Sequence, residues 1–312
     1  MQKRYNIKNG GDKIEYINDY DKEYPYSFFG VDNPPKKLYV RGNISLLKEI
    51  AISIVGSRNC SKYGEKMARK FARELSELEI ITVSGLAKGV DTFVHEETLL
   101  NHGKTIAVLP CGLDKIFPEE NKELANRIVK NGGLLISEYE NNDIADSNKF
   151  IQRNRLVSAL GECLIVAEAS YRSGTSITAR LSREQSKTVF CVPSGLDNRC
   201  GVGTNTMIKK GAVLLSGIAD IFEESTSAKL QSFKAKYIEK RSGKYIKKIE
   251  VPKDCQKIYN AISGNATSID YIYSKTKETI GDISYKLTIL ELEGCIEAIP
   301  GGFYKKIITM EE

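Results

Sequence analysis

Short, continuously apolar runs alternate with stretches of helical periodicity through the middle of this 312-residue chain. The runs are IAISIV (50–55), IITV (80–83), TIAVL (105–109), LLI (134–136), CLIVA (163–167), TVFCV (188–192) and AVLL (212–215). A strand that is apolar at every position has both faces covered, which is the habit of parallel sheets. Between the first two runs Met67, Phe71, Leu75 and Leu78 recur at helical spacing and lay one stripe along a helix. The pattern predicts an α/β fold over residues 41–223, a doubly wound and mostly parallel sheet.

The flanks read differently. Residues 1–40 are polar and turn-rich, with Asp32-Asn33-Pro34-Pro35 marking a loop before LYVRGN, and form a short extension expected to lean on the sheet. Residues 224–252 read as a basic linker. Beyond it, CQKIYNAIS, TSIDYIYSKT and TIGDISYKLTILELEG predict three short helices, and CIEAIPGGFYKKI predicts two strands around Pro300-Gly301-Gly302. Three helices followed by a hairpin is the order of a winged helix, here over residues 253–312. Its third helix carries Ile283, Leu287, Leu290 and Leu292 but only Lys286 as a base, which suits an accessory role better than a phosphate backbone.

Charge sharpens the view of the linker. The chain is net +6, and between residues 225 and 250 eight Lys and Arg face two Glu, so the rest is net neutral. A solvated spacer or a polyanion contact would both fit. The apolar content of 41% and the absence of any run near the roughly 20 residues of a membrane span predict a soluble, cytoplasmic chain. Seven cysteines without a C-x-x-C pair read as buried free thiols, and two lone histidines, His95 and His102, offer no zinc site.

The candidate chemistry sits at strand ends. VGSRNCSKYG (55–64) runs from a strand through a turn into a helix, where unpaired amides and the helix dipole attract anions. It lacks the G-x-G-x-x-G spacing, and Arg58 stands where a dinucleotide site would want a second glycine. The second strand ends in SGLAKG (84–89), with Lys88 in place of a ribose-binding carboxylate. FIQRNR (150–155) and RSGTS (172–176) complete four apparent turns, each with small or cationic residues. The candidate phosphate-binding residues are therefore Gly56, Ser57, Arg58, Ser84, Gly85, Lys88, Gly89, Arg153, Asn154, Arg155, Ser173, Gly174 and Thr175. Phe150 is available to stack a base. Such a row suits the phosphates of a single strand, although Gly56 and Gly85 also serve tight turns and Arg155 could pair with a carboxylate.

These segments, with VSGLAKGVDTFVHEETL, GKTIAVLPCGLDKIFPEEN and CVPSGL, resemble the DNA-processing protein A family over about residues 24–220. ELEGCIEAIPGGFYKK resembles the winged-helix appendage of the same family. The resemblance implies an extended Rossmann-like homodimer that binds single-stranded DNA without catalysis, cofactor or metal. It further implies protection of incoming strands in natural transformation and loading of the RecA recombinase. The sequence departs from the family in having Ile151 where F-P-x-R-N-R has proline, Phe117-Pro118 for tyrosine-proline, and Val94 before the histidine.

The rival is an enzyme or small-nucleotide binder of the lysine-decarboxylase-like group, whose G-G-x-G-T-x-x-E turn has its nearest match at 172–178. There Thr178 replaces the carboxylate, and Glu168 is expected to orient Arg153 or Arg155 instead. A helical contact between Asp91 and His95 could also imitate part of a catalytic triad, but no nucleophile elbow accompanies it.

Overall fold

A computed structural model describes residues 13–171, 173–245, 251–263, 266–293 and 295–306. Nine strands form one sheet: β1 (Glu15–Asn18), β2 (Lys37–Gly42), β3 (Ala51–Gly56), β4 (Ile81–Ser84), β5 (Thr105–Val108), β6 (Leu134–Ser137), β7 (Leu164–Glu168), β8 (Val189–Cys191) and β9 (Val213–Leu214). Their order is β1-β2-β6-β5-β4-β3-β7-β8-β9. The pairs from β6 through β9 are all parallel, whereas β2 joins β6, and β1 joins β2, antiparallel. The seven predicted runs supply the parallel part, and the doubly wound expectation holds.

The connections are α1 (Lys62–Glu77), α2 (Val90–Leu100), α3 (Lys122–Lys130), α4 (Ser147–Leu160), α5 (Gly174–Glu184), α6 (Val202–Lys209) and α7 (Ile218–Glu224). Alternating residues of β3 show why its sequence is apolar throughout. Ala51 and Val55 face one buried cluster with Leu156 and Val157 of α4, while Ile52 and Ile54 face another with Phe71 and Leu75 of α1. The stripe on α1 thus packs as its periodicity requires. After β3 the chain winds to β6 on one side, then returns to place β7 on the other side of β3. The crevice at this reversal, beyond the strands' C-terminal ends, is where open α/β sheets bind ligands.

The N-terminal extension does more than lean on the sheet. LYVRG alternates buried Leu38 and Val40 with half-buried neighbours, and Ile17, Phe28 and Leu38 join the core. The basic linker is helical over much of its length. Ala228–Tyr245 is an eighth helix, α8, anchored by buried Leu230 with Phe233 and Tyr237 packed against the α1 face. Lys247 and Lys248 lie outside the described residues.

The chain divides into a unit of residues 1–237 and a second of 238–312. The second contains α9 (Gln256–Ala261), β10 (Thr267–Ser268), α10 (Ile269–Thr276), α11 (Ile280–Leu292), β11 (Ile296–Ile299) and β12 (Phe303–Lys306), a winged helix. Ile283, Leu287 and Leu290 of α11 are core residues, but Leu292 is exposed, and Lys286 is paired with Glu278 at 2.7 Å.

His95 is fully buried in α2. Its Nδ1 lies 2.7 Å from the Thr105 hydroxyl, and Nε2 has no partner among the described residues. Burial, aided by the Arg153 charge, pushes its pKa down to about 3. The folded protein therefore keeps His95 neutral while the unfolded chain protonates it near pH 6.5, so its contribution to stability falls as pH drops below that value. Urea unfolding should show wild type losing about 2 kcal/mol more than His95→Gln between pH 6.5 and 5. Equal losses in the two proteins would mean that His95 does not govern this window.

Candidate nucleic-acid interface

The loops after β3, β4, β5 and β7 meet at the C-terminal edge of the sheet. Sequence places the turn after β3 against the turn after β4 through a glycine. Gly89 has φ +76°, and a side chain there would strike the carbonyls of Ser57 and Arg58. The amide of Val90 donates to the Ser57 carbonyl at 3.2 Å, closing the contact. On the other side the Ser57 amide donates to the Glu168 carbonyl at 2.8 Å, which joins the same turn to the end of β7.

The N-terminus of α1 is not open to a phosphate. The Glu168 carboxylate accepts from the Ser61 amide at 2.7 Å and its hydroxyl at 2.6 Å, and Asn198 donates to the same carboxylate at 3.0 Å. The Ser61 hydroxyl in turn accepts from the Gly64 amide at 3.2 Å. A protein carboxylate thus occupies the place that the strand–turn–helix pattern reserves for an anion. Glu168 orients this helix start, not Arg153 or Arg155 as expected.

The second turn is also satisfied from within. Asp91 is buried and accepts from the amides of Gly85 and Ala87 at 3.2 and 3.3 Å, while the Ser84 hydroxyl donates to the Ile54 carbonyl. Burial raises the Asp91 pKa against the opposing pull of Arg153, these amides and Ser84. Asp91 therefore serves the turn, and its helical neighbour His95 turns to Thr105 instead.

FIQRNR is not a turn but part of α4. Arg153 is only 4% exposed, and its guanidinium donates to the carbonyls of Gly85 and Val108. Gly85 is glycine for this reason, since a side chain there would meet that guanidinium. Burial lowers the Arg153 pKa to about 10, opposed by the Asp91 charge, and leaves it protonated at neutral pH. Asn154 accepts from Arg153 Nε at 3.3 Å. Arg155 is buried as well and pairs with Glu138. Both arginines resemble surface cations in sequence, yet they hold strand ends together.

What remains exposed is narrower. Arg58 is exposed and lies 4.5 Å over the ring of half-buried Phe150. Phe150 meets Phe117 edge to face with centroids 5.7 Å apart, and Phe117 is 47% exposed. Sequence reasoning did not single out Phe117 for contact; its signal was an aromatic beside Pro118 in a strand-end loop. Lys88 is exposed and bonded to Glu120 at 2.5 Å. At α5, Ser173 makes no side-chain cap, and its buried hydroxyl has no partner among the described residues. Gly174 is exposed, Thr175 is buried, and Arg172 lies outside the described residues. Among the described residues, no three His, Cys, Asp or Glu groups gather to hold a metal, and no helix is long and apolar enough to cross a membrane.

Residues 15–226 match the family model described as DNA recombination-mediator protein A. The chain belongs to this family. Residues 248–302 match the DprA winged helix domain. Protein Smf of Escherichia coli is 31% identical over 90% of this chain and 75% of its own length. DNA processing protein DprA of Streptococcus pneumoniae is 39% identical over 65% of this chain and 72% of its own. The crystal structure of that streptococcal protein superposes with a TM-score of 0.65 at 37% identity, covering 69% of this chain and 75% of that one. DNA processing protein A from Helicobacter pylori, described for its unique single-stranded DNA binding mode, superposes with a TM-score of 0.61 at 31% identity. It covers 75% of this chain and 99% of that one. Family membership places the chain among DNA-processing proteins of recombination.

The two classes of arginine should separate on substitution. Arg153→Ala should cost about 3 kcal/mol in urea unfolding, because it leaves two buried carbonyls and Asp91 without their cation. Arg58→Ala should cost no more than about 1 kcal/mol, the scale of an exposed cation–π contact. Comparable costs for both would contradict the division between buried scaffold and exposed contact.

Proposed function

We propose that this protein binds single-stranded DNA without catalysis, through the exposed part of the C-terminal sheet edge. The observation that carries this reading is the Arg58 guanidinium, exposed and stacked 4.5 Å over Phe150 beside exposed Phe117. It pairs a phosphate-binding cation with aromatic surface on which a base can stack, and neither depends on base identity. Lys88 contributes a second cation, and the uncapped start of α5 contributes backbone amides around Ser173, Gly174 and Thr175. Gly56, Ser57, Gly85 and Gly89 shape the turns; Ser84, Arg153, Asn154 and Arg155 support them from beneath. The single-stranded DNA binding described for the Helicobacter pylori relative favours the same ligand here.

The non-catalytic reading is supported by where the acids and the histidine stand. Glu168 is engaged at the start of α1, Asp91 by the second turn, and His95 by Thr105. Thr178, at the position of the hydrolase carboxylate, is buried. Homodimerisation, protection of incoming strands and loading of RecA, which the family resemblance implies, complete the proposed role.

Fluorescence anisotropy with a labelled single strand tests the reading. Arg58→Ala and Lys88→Ala should each weaken binding and flatten the slope of log affinity against log salt by about 0.7, the release expected for one single-strand phosphate contact. Unchanged affinity and slope in both variants would remove the assignment of this edge.

A further inference from the structure

Five of the seven cysteines are buried; Cys60 and Cys200 alone are half-exposed, and all seven are free thiols. These two belong to different loops. Cys60 lies in the turn between β3 and α1, and Cys200 lies in the short 3-10 turn Arg199–Gly201 between β8 and α6. The loops converge on one carboxylate. Ser61, next to Cys60, donates its amide to Glu168 Oε2 at 2.7 Å. Asn198 donates to Glu168 Oε1 at 3.0 Å, and its own carbonyl oxygen accepts from the Cys200 amide at 3.0 Å. A continuous path of three hydrogen bonds therefore runs from the backbone of Cys200 to the residue beside Cys60.

We propose that Cys60 and Cys200 form a covalent modification site, oxidised by a low-molecular-weight disulfide to an intramolecular disulfide across the crevice between the β3–α1 and β8–α6 loops. One thiolate attacks the reagent's S–S bond, forms a mixed disulfide and expels one reagent thiolate, which takes up a proton. The second cysteine then attacks the sulfur of the first and expels the other reagent thiol. Two protein thiols are oxidised while one reagent disulfide is reduced to two thiols. Exposure selects this pair, because oxidation follows access and the remaining thiols are enclosed. Burial and the Glu168 charge hold the Cys60 thiol above its ordinary pKa, so the exchange should accelerate as pH rises. The bond requires α-carbons within about 7 Å of one another, and the shared Glu168 carboxylate holds the two loops against each other. It would tie down the turn that carries Arg58.

The test incubates the full chain with oxidised glutathione and reads intact mass and a non-reducing peptide map. Wild type should lose two hydrogens, about 2 Da, with Cys60 and Cys200 in one linked peptide pair, and should recover its mass on reduction. Cys60→Ser and Cys200→Ser should each stop at a single glutathione adduct on the remaining half-exposed cysteine. Two separate adducts on wild type, or linkage through any other cysteine, would overturn the proposal. The mass readout is independent of DNA, so it stands or falls separately from the function proposed for Arg58.

Discussion

The buried guanidinium of Arg153 is the constraint on which the sheet's C-terminal edge depends. It comes from α4 yet donates to the last residues of two strand regions, the carbonyls of Gly85 and Val108. A buried cation is tolerable only when its donors are met and an opposing charge is near. Here Asp91 supplies the charge while holding the amides of Gly85 and Ala87. The same cluster forces glycine at 85 and fixes the turn after β4, whose Gly89 then admits the turn after β3. Phe150, one helical turn before Arg153, is thereby delivered beneath Arg58. The exposed contact is held by elements whose own polar groups are already satisfied.

That arrangement divides the strand-end residues by role. Glu168, Asp91, Arg153 and Arg155 consume the charge and amides of the crevice internally, leaving Arg58, the aromatic pair and the start of α5, with Lys88 bonded to Glu120 beside them, for the proposed ligand. Preorganisation of this kind limits the ordering cost of binding. The winged helix, taken by itself, offers less positive charge on α11, where Lys286 is engaged by Glu278 and Tyr285 is exposed. The strand-handling chemistry proposed here therefore belongs to the sheet edge.

The parallel strands were legible because burial on both faces leaves no polar position in a run such as IAISIV. β1 and β2 were harder to see. LYVRG is half-polar and follows a proline-rich loop, so its alternation was hidden by its surroundings. FIQRNR misled for a different reason: the partners that bury its arginines lie 68, 45 and 17 residues away in sequence, at Gly85, Val108 and Glu138. Nothing local marks an arginine as a strand-end clamp. Glu168 was read as a neighbour of those arginines, whereas tertiary packing turned it across β3 to the start of α1. The start of α8 was obscured by its charge, though Leu230, Phe233 and Tyr237 already carried a helical spacing. Arg58 and Lys88 were legible as exposed cations because a strand-end turn has few other uses for them.

Hydrogen–deuterium exchange with and without a single-stranded oligonucleotide tests the central claim most directly. The account predicts slowed exchange confined to the turns around residues 57–59 and 86–89 and to the start of α5, with the winged helix unchanged. Protection restricted to residues 251–306, or absent from all three segments at saturating DNA, would contradict it.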